Sequence, residues 1–303
     1  MATWQDPDVH LFRAWRAAEH QTVSAAGLAY TAGLSQEPLA AGSSHLIDNI
    51  AAKVMARVEG LRSAGYAITG PTGDNEDYRL VSAPGRLIAD DLRAALPADT
   101  TVGREILVFE ETDSTNDLAA HAGRDGVAEG IVFFAESQRA GRGRLGRRWM
   151  SPPGRNLLLS VLLRPSAVPA ERWPELTFCA ALAVAETAEH FTRQAALLKW
   201  PNDVLLAGRK VAGILLETHR APGPGFVVVG VGLNVLQRSE DFPPELRERA
   251  GSLAMLLLAS SPPERREVAG FLLARLDAHY GQWQQDFTPI NEACARRRAV
   301  LVP

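Results

Sequence analysis

Residues 136–149 read Glu136-Ser137-Gln138-Arg139-Ala140-Gly141-Arg142-Gly143-Arg144-Leu145-Gly146-Arg147-Arg148-Trp149, with three glycines and five arginines in one short segment. The glycines free the backbone for close approach to a ligand. The arginines supply forked donors that match carboxylate or phosphate oxygens two at a time. An isolated Arg/Gly run is more often a solvated turn or a nucleic-acid patch. This one is bounded abruptly by Trp149 and by Ser151-Pro152-Pro153-Gly154, which favours a loop that closes on an anionic ligand.

The flanking pattern sets the fold. Strand patterns fall at 106–109, 131–135, 157–163, 197–199, 204–206 and 226–231, and 211–216 follows the 204–206 run around Gly208. Pro174 suits the first turn of a helix that carries Leu176, Cys179, Ala183, Thr187 and Phe191 on one face. A second long helix is predicted over 264–283, with Phe271, Leu272, Arg275 and Leu276 around its buried side. Hairpin-linked strands mixed with helices give an α+β fold, a mixed and largely antiparallel sheet with packed helices.

Upstream, residues 10–82 outline a small helical unit. Ser24 is placed to cap a short helix through Thr31, a longer helix runs from Ile50 to Ala64, and strands at 66–68 and 78–81 flank an acidic turn. That is the outline of a winged helix. The resulting division is 1–83 for this domain, 84–290 for the main domain and 291–303 for a C-terminal remnant, with a linker at Ala83-Pro84-Gly85 and a helix at 87–96.

Composition excludes several classes. A chain of 303 residues with net charge −3 and 46% hydrophobic residues has an ordinary core and no overall polyanion-binding surface. Cys179 and Cys294 form neither a disulfide framework nor a metal site, so no metal centre is expected. No signal-peptide pattern or membrane-length apolar stretch occurs, which gives a cytoplasmic expectation.

Lys199 is the candidate catalytic group. It ends an apolar strand beside Trp200-Pro201-Asn202-Asp203, where a partly buried ammonium needs an anion, and an ion pair with Asp203 is the equally weighted structural alternative. Lys210 and Gly213 follow on the next strand.

Five motifs occur in the order found in biotin protein ligases, which this chain resembles over about residues 104–290. They are Asp113-Ser114-Thr115-Asn116, Ala140-Gly141-Arg142-Gly143-Arg144-Leu145-Gly146-Arg147-Arg148-Trp149, Lys199-Trp200-Pro201-Asn202-Asp203, Lys210-Val211-Ala212-Gly213-Ile214 and Gly230-Val231-Gly232-Leu233-Asn234. The resemblance implies a class II synthetase-like biotin/lipoate ligase core and an enzyme that forms biotinyl-5′-AMP from biotin and ATP. Biotin then passes to a lysine of a biotin carboxyl carrier protein or domain.

It further implies that Ser114, Thr115, Asn116 and Gln138 line the biotin end, and that the loop from Gly141 through Gly143 to Arg147 closes over carboxylate and phosphates. Arg142 and Arg144 would lie nearest the reacting centre, Lys199 would contact the carboxylate and α-phosphate, and Gly213 would lie beside the biotin chain. Arg147, Trp149, Asn202, Lys210 and Asn234 fall on the nucleotide side, and Mg2+ would accompany the triphosphate. Ser114–Asn116 read as a helix cap, and Gly230 and Gly232 read as a strand bulge, are the bland alternatives.

The chain departs from the family in three places. Residues 1–85 carry six Lys/Arg against nine Asp/Glu, and residues 36–44 interrupt the approach to the longer helix, so DNA binding is not expected. The end at 296–303 reads as the first strand of a C-terminal barrel. The family's adenine-stacking aromatic has no clear counterpart, Phe242 being the substitute. The competing readings are a biotin-responsive DNA-binding repressor with little ligase activity, a lipoate ligase or octanoyl transferase relative, and a catalytically decayed interaction protein. Dimerisation through sheet edges stays open.

Overall fold

The computed structural model describes residues 23–24, 28, 44–70, 77–82, 84–220, 225–258 and 261–299. The chain forms two compact units, Met1–Ala98 and Asp99–Pro303.

In the first unit, β1 (Val23–Ser24), α1 (Ser44–Ser63), β2 (Ala67–Thr69), β3 (Asp77–Ser82) and α2 (Ala89–Ala94) follow in order. The sheet order is β1-β3-β2. The helix spacing read from sequence is realised: Val54, Val58 and Leu61 of α1 are buried against Tyr66, Ile68, Tyr78 and Leu80 of the strands. Ser24, expected as a helix cap, instead pairs with Asp77 in β1–β3. The rest of the expected helix to Thr31, apart from helical Leu28, and the 73–76 turn lie outside the described residues.

The second unit is built on a seven-stranded sheet of order β4-β5-β6-β10-β9-β8-β7. Its strands are β4 (Glu105–Thr112), β5 (Ile131–Gln138), β6 (Asn156–Leu163), β7 (Ala196–Lys199), β8 (Asp203–Leu206), β9 (Arg209–His219) and β10 (Phe226–Asn234). Only β4 and β5 run parallel; the other neighbours are antiparallel. The helices are α3 (Thr115–Arg124), α4 (Leu176–Thr192), α5 (Arg265–Gln285) and α6 (Thr288–Arg296).

β6 and β10 are buried along their whole length, as their continuous apolar runs require of strands covered on both faces. Leu162 and Val228 pack with Ala119 and Ala120 of α3. Val161, Leu163 and Val229 meet Leu176, Cys179 and Leu276 of α4 and α5. By the two-residue alternation of a strand, Ser160, Gly230 and Gly232 therefore share the α3 face.

The β8–β9 hairpin turns at Ala207 and Gly208, both at positive φ (45° and 77°), as a two-residue hairpin requires. On the helical face, Glu186 of α4 accepts from Arg275 Nε (2.6 Å) and faces His279 Nε2 (2.9 Å) of α5. Burial works against this carboxylate's charge, yet the His279 and Arg275 contacts bring its pKa down to about 2. Cys179 and Cys294 are free and buried.

Residues 291–296, grouped by sequence with the C-terminal remnant, complete a helix in which Ile290 and Cys294 are buried. Only then does the chain reach the sheet, where Ala299 N donates to Leu198 O at 2.9 Å. Residues 300–303 lie outside the described residues.

Candidate functional site

The arginine segment leaves β5 as a small closed loop. Arg139 N and Ala140 N donate to Thr112 O and Asp113 O, so the loop is tied to the turn that precedes α3. Trp149 N donates to Gly141 O (2.9 Å) and Gly143 N to Arg147 O (2.7 Å), closing it like a hairpin around a 3-10 turn at Arg144–Gly146. Leu145 at the tip is 89% exposed and sits at φ 57°. A Cβ at Gly141 would come within 2.7 Å of Trp149 O, so glycine is required for the closure.

Between this loop and the α3 face of the sheet lies a cavity of about 720 Å3, within the range of small-ligand sites. Ser114, Thr115, Asn116, Gln138, Arg142, Gly143, Arg144, Arg147, Trp149, Lys199, Asn202, Lys210, Gly213 and Asn234 all line it. Gly141 is the one sequence candidate that does not, and it lines the adjoining hollow under the loop. Phe242 also faces the main cavity, although it is buried.

The α3 end is a connected polar floor. Gln138 Oε1 accepts from Thr115 N (2.8 Å) and Thr115 Oγ1 (3.2 Å). Ser160 Oγ lies 2.7 Å from Thr115 Oγ1 and 2.6 Å from Asn116 Oδ1. Asn116 Nδ2 donates to Glu217 Oε2 at 2.9 Å. Ser114 occupies the N-cap position of α3 without making a side-chain cap bond, so helix capping does not account for its hydroxyl. Gly230 is in regular register, and a Cβ there would overlap Asn116 Oδ1 at 2.1 Å. The glycine therefore admits the Asn116 amide; no bulge is involved.

Trp149 covers the middle. Its indole lies across the cross-strand pair Gly213 and Gly232, where added Cβ atoms would approach the ring to 3.0 and 2.5 Å. Lys210 Nζ sits 5.5 Å from the ring centroid, a cation–π distance. Trp149 Nε1 is buried without a hydrogen-bond partner among the described residues, as is Gln237 Oε1 at the far wall. Asn234 Nδ2 donates to Gly251 O (2.9 Å), so its amide also holds the adjacent loop.

The cations divide into two groups, those already paired with carboxylates and those without an ion pair among the described residues. Arg139 pairs with Asp113 and Glu111. Arg142 pairs with Asp117 and Glu217. Burial opposes the Arg142 charge, but the Asp117 hydrogen bond and both carboxylates hold its pKa above the ordinary value. Lys210, not Lys199, takes Asp203, at 2.7 Å.

Lys199 is exposed rather than partly buried, and it makes no ion pair among the described residues, although it is Asp203's cross-strand neighbour. Arg147 is exposed and likewise unpaired among the described residues. Arg144 Nη1 donates to Asn202 Oδ1 (3.0 Å), which brings the loop tip to the Lys199–Asp203 segment.

Sequence reasoning missed Ser160, Asp117, Glu217 and Gln237. Ser160 had a signal, a lone hydroxyl inside the apolar run 157–163. The others are contacts between distant segments.

A family profile described as the Biotin/lipoate A/B protein ligase family matches residues 108–234. The bifunctional ligase/repressor BirA of Bacillus subtilis is 33% identical over 240 residues, spanning 78% of this chain and 72% of that one. The biotin-acetyl-CoA-carboxylase ligase of Mycobacterium tuberculosis is 40% identical over 203 residues, 66% of this chain and 72% of that one. Among solved structures, the biotin protein ligase from Aquifex aeolicus in complex with biotin and ATP aligns with TM-score 0.56 and 31% identity, covering 65% of this chain and 79% of that one. The chain belongs to the biotin protein ligase family.

Proposed function

We propose that the cavity carries out ATP-dependent biotin ligation, the activity of the family, with the residue roles that follow. The observation that carries the assignment is the convergence of all five sequence motifs on one cavity whose ends differ in kind, a hydrogen-bonded polar floor and a cationic, aromatic wall. Neither a repressor with little ligase activity nor a lipoate ligase is favoured, since the relatives are named as biotin ligases or as bifunctional ligase/repressors.

Biotin would lie with its ureido ring toward Ser114, Thr115, Asn116 and Gln138, and its carboxylate toward Lys199. ATP would enter from the Trp149, Asn234 and Phe242 side. A carboxylate oxygen attacks the α-phosphorus, the bond to the β-phosphate oxygen breaks, and pyrophosphate leaves. Lys199, Arg144 and Arg147 would stabilise the charge that accumulates on the phosphoryl oxygens, where one fixed donor is typically worth about 100- to 1000-fold. The amine of a carrier-protein lysine then attacks the acyl carbon, AMP departs with the bonding electrons, and the amine releases a proton. The loop shields the mixed anhydride from water between the steps.

Among the described residues no group of three or more His, Cys, Asp or Glu is placed to hold a metal, and Asp203 is engaged by Lys210. Mg2+ would arrive on the triphosphate, held by phosphate oxygens and water. When bound, it would neutralise the departing pyrophosphate.

The acceptor is inferred to be a biotin carboxyl carrier domain, in keeping with the carboxylase-ligase names of the relatives. No helix among the described residues is long and apolar enough to cross a membrane. A cytoplasmic setting belongs to the same reading. The acidic balance of residues 1–85 supports an N-terminal winged-helix-like module without operator binding. Whether protomers pair through sheet edges is a matter for sedimentation.

The assignment is tested by pyrophosphate release in the absence of any carrier. Release should require both biotin and ATP. Release with lipoate in place of biotin, or none with either acid, would overturn it.

A further inference from the structure

Arg142 was read from the sequence as a ligand cation, yet three of its five guanidinium donors are already engaged within the protein. Nη1 reaches both carboxylate oxygens of Asp117 at 2.7 Å, and Nη2 reaches Glu217 Oε1 at 3.3 Å. The same Glu217 accepts from Asn116 Nδ2 with its other oxygen, Oε2, at 2.9 Å. One carboxylate on β9 thus holds the loop with one oxygen and the cavity floor with the other.

Asn116 Nδ2 also lies 3.4 Å from Leu215 O, so its NH2 group faces two acceptors, of which Glu217 is the nearer and the charged one. An ionised carboxylate only accepts hydrogen bonds, so it can face two donors at once. Because Oε2 needs the NH2 of Asn116, the amide cannot flip, and its Oδ1 is then turned toward Ser160 Oγ. The Glu217 side chain is 30% exposed and Arg142 39%, so the contacts are partly shielded from solvent and are charge-assisted.

We propose that Glu217 is a positioning residue that couples the seat of the biotin ring to the closure of the arginine loop, through Asn116 on one side and Arg142 on the other. This rests on the reading that the α3 end of the cavity takes biotin. A ligand that orders Asn116 thereby orders Glu217, Arg142 and the loop above. A loop displaced by proteolysis or substitution loosens the floor in turn. Asp117 holds Arg142 independently, so loss of Glu217 leaves the loop attached but uncoupled.

The test is Glu217→Gln in the full chain. A glutamine brings one acceptor and one donor to two donors, so one of the two contacts must fail. The first readout is trypsin cleavage within Arg142–Arg148, followed by mass spectrometry with and without biotin. In the native protein biotin should slow cleavage; in Glu217→Gln that protection should fall by about tenfold. The second readout separates the kinetic constants. KM for biotin should rise by about tenfold while KM for ATP stays unchanged, and pyrophosphate released per biotin transferred should increase as the anhydride is lost to water.

Native-like protection and native KM for biotin in the variant would overturn the coupling. A lower melting temperature with a proportionate loss of kcat and no change in either readout would overturn it as well, leaving a merely structural carboxylate. If Glu217→Gln does not accumulate, Glu217→Asp, too short to span both donors, takes its place with the same criteria. The proteolysis arm uses binding alone. Native protein that is protected by biotin but releases no pyrophosphate would therefore break the ligase reading without breaking the coupling.

Discussion

The two ends of the cavity are built on opposite plans. At the α3 end, Thr115, Gln138, Ser160, Asn116, Glu217 and Arg142 already form an unbroken chain of hydrogen bonds and ion pairs. From the Trp149 indole in the middle to Gln237 at the far wall, buried Trp149 Nε1 and Gln237 Oε1 have no hydrogen-bond partner among the described residues, and Lys199 and Arg147 make no ion pair among them. The first end is arranged before any ligand arrives. The second keeps polar groups and charge whose partners a ligand must supply, so stability should reside at the first end and transition-state stabilisation at the second.

The largest effect should come from the uncompensated cation. Lys199→Ala is expected to lower adenylate synthesis by about 100- to 1000-fold with little change in melting temperature, measured by pyrophosphate release and calorimetry. A variant that melts several degrees lower instead would place Lys199 with the stabilising end. Next comes the shared middle. Gly232→Ala puts a Cβ about 2.5 Å from the Trp149 ring and must displace it. Misplacing a positioned group costs about 100-fold in kcat/KM for ATP, and the assay is steady-state kinetics at saturating biotin.

A pair of substitutions sharpens the contrast. Ser160→Ala leaves Thr115 Oγ1 and Asn116 Oδ1 short of a partner and should destabilise the ligand-free protein by about 1–3 kcal/mol. Gln237→Met removes an unpartnered buried oxygen at similar volume. It should raise Tm by about 3 °C while raising KM for ATP. Equal signs in the two melting curves would dissolve the distinction between the ends.

The smallest effect is a control away from both. Glu186 has its pKa lowered from an ordinary 4.5 to about 2 by His279 and Arg275 despite partial burial. Because the folded value lies below the unfolded one, its contribution is complete above pH 4.5 and is lost as the pH falls toward 2. Denaturant titrations of Glu186→Gln and native protein should therefore converge over that interval.

Much of this was legible in the chain. Strand and helix positions follow from apolar runs and periodicity, and the continuous apolar runs of β6 and β10 mark strands covered on both faces. Nearly all the candidate site residues meet in one cavity, since glycines and arginines at such density have few uses besides ligand approach. The pairing of the charges was not legible. Sequence spacing left Lys199 equally suited to an anionic ligand or to Asp203, but the β8–β9 hairpin carries Lys210 to that carboxylate and leaves Lys199 open. Glu217 and Asp117 reach Arg142 from segments 75 and 25 residues away, and no local pattern encodes such contacts. The helix Thr288–Arg296 was not predicted from the sequence, since it is seated by burial of Ile290 and Cys294 against the rest of the fold.

The most direct measurement is intact-mass analysis of an apo biotin carboxyl carrier domain after incubation with ATP, Mg2+, biotin and this protein, with Lys199→Ala and lipoate run in parallel. The account predicts one added biotin per carrier with the native protein, transfer slowed by about 100- to 1000-fold with Lys199→Ala, and no lipoylation. Biotin transfer by Lys199→Ala at the native rate, or transfer of lipoate in place of biotin, would contradict it.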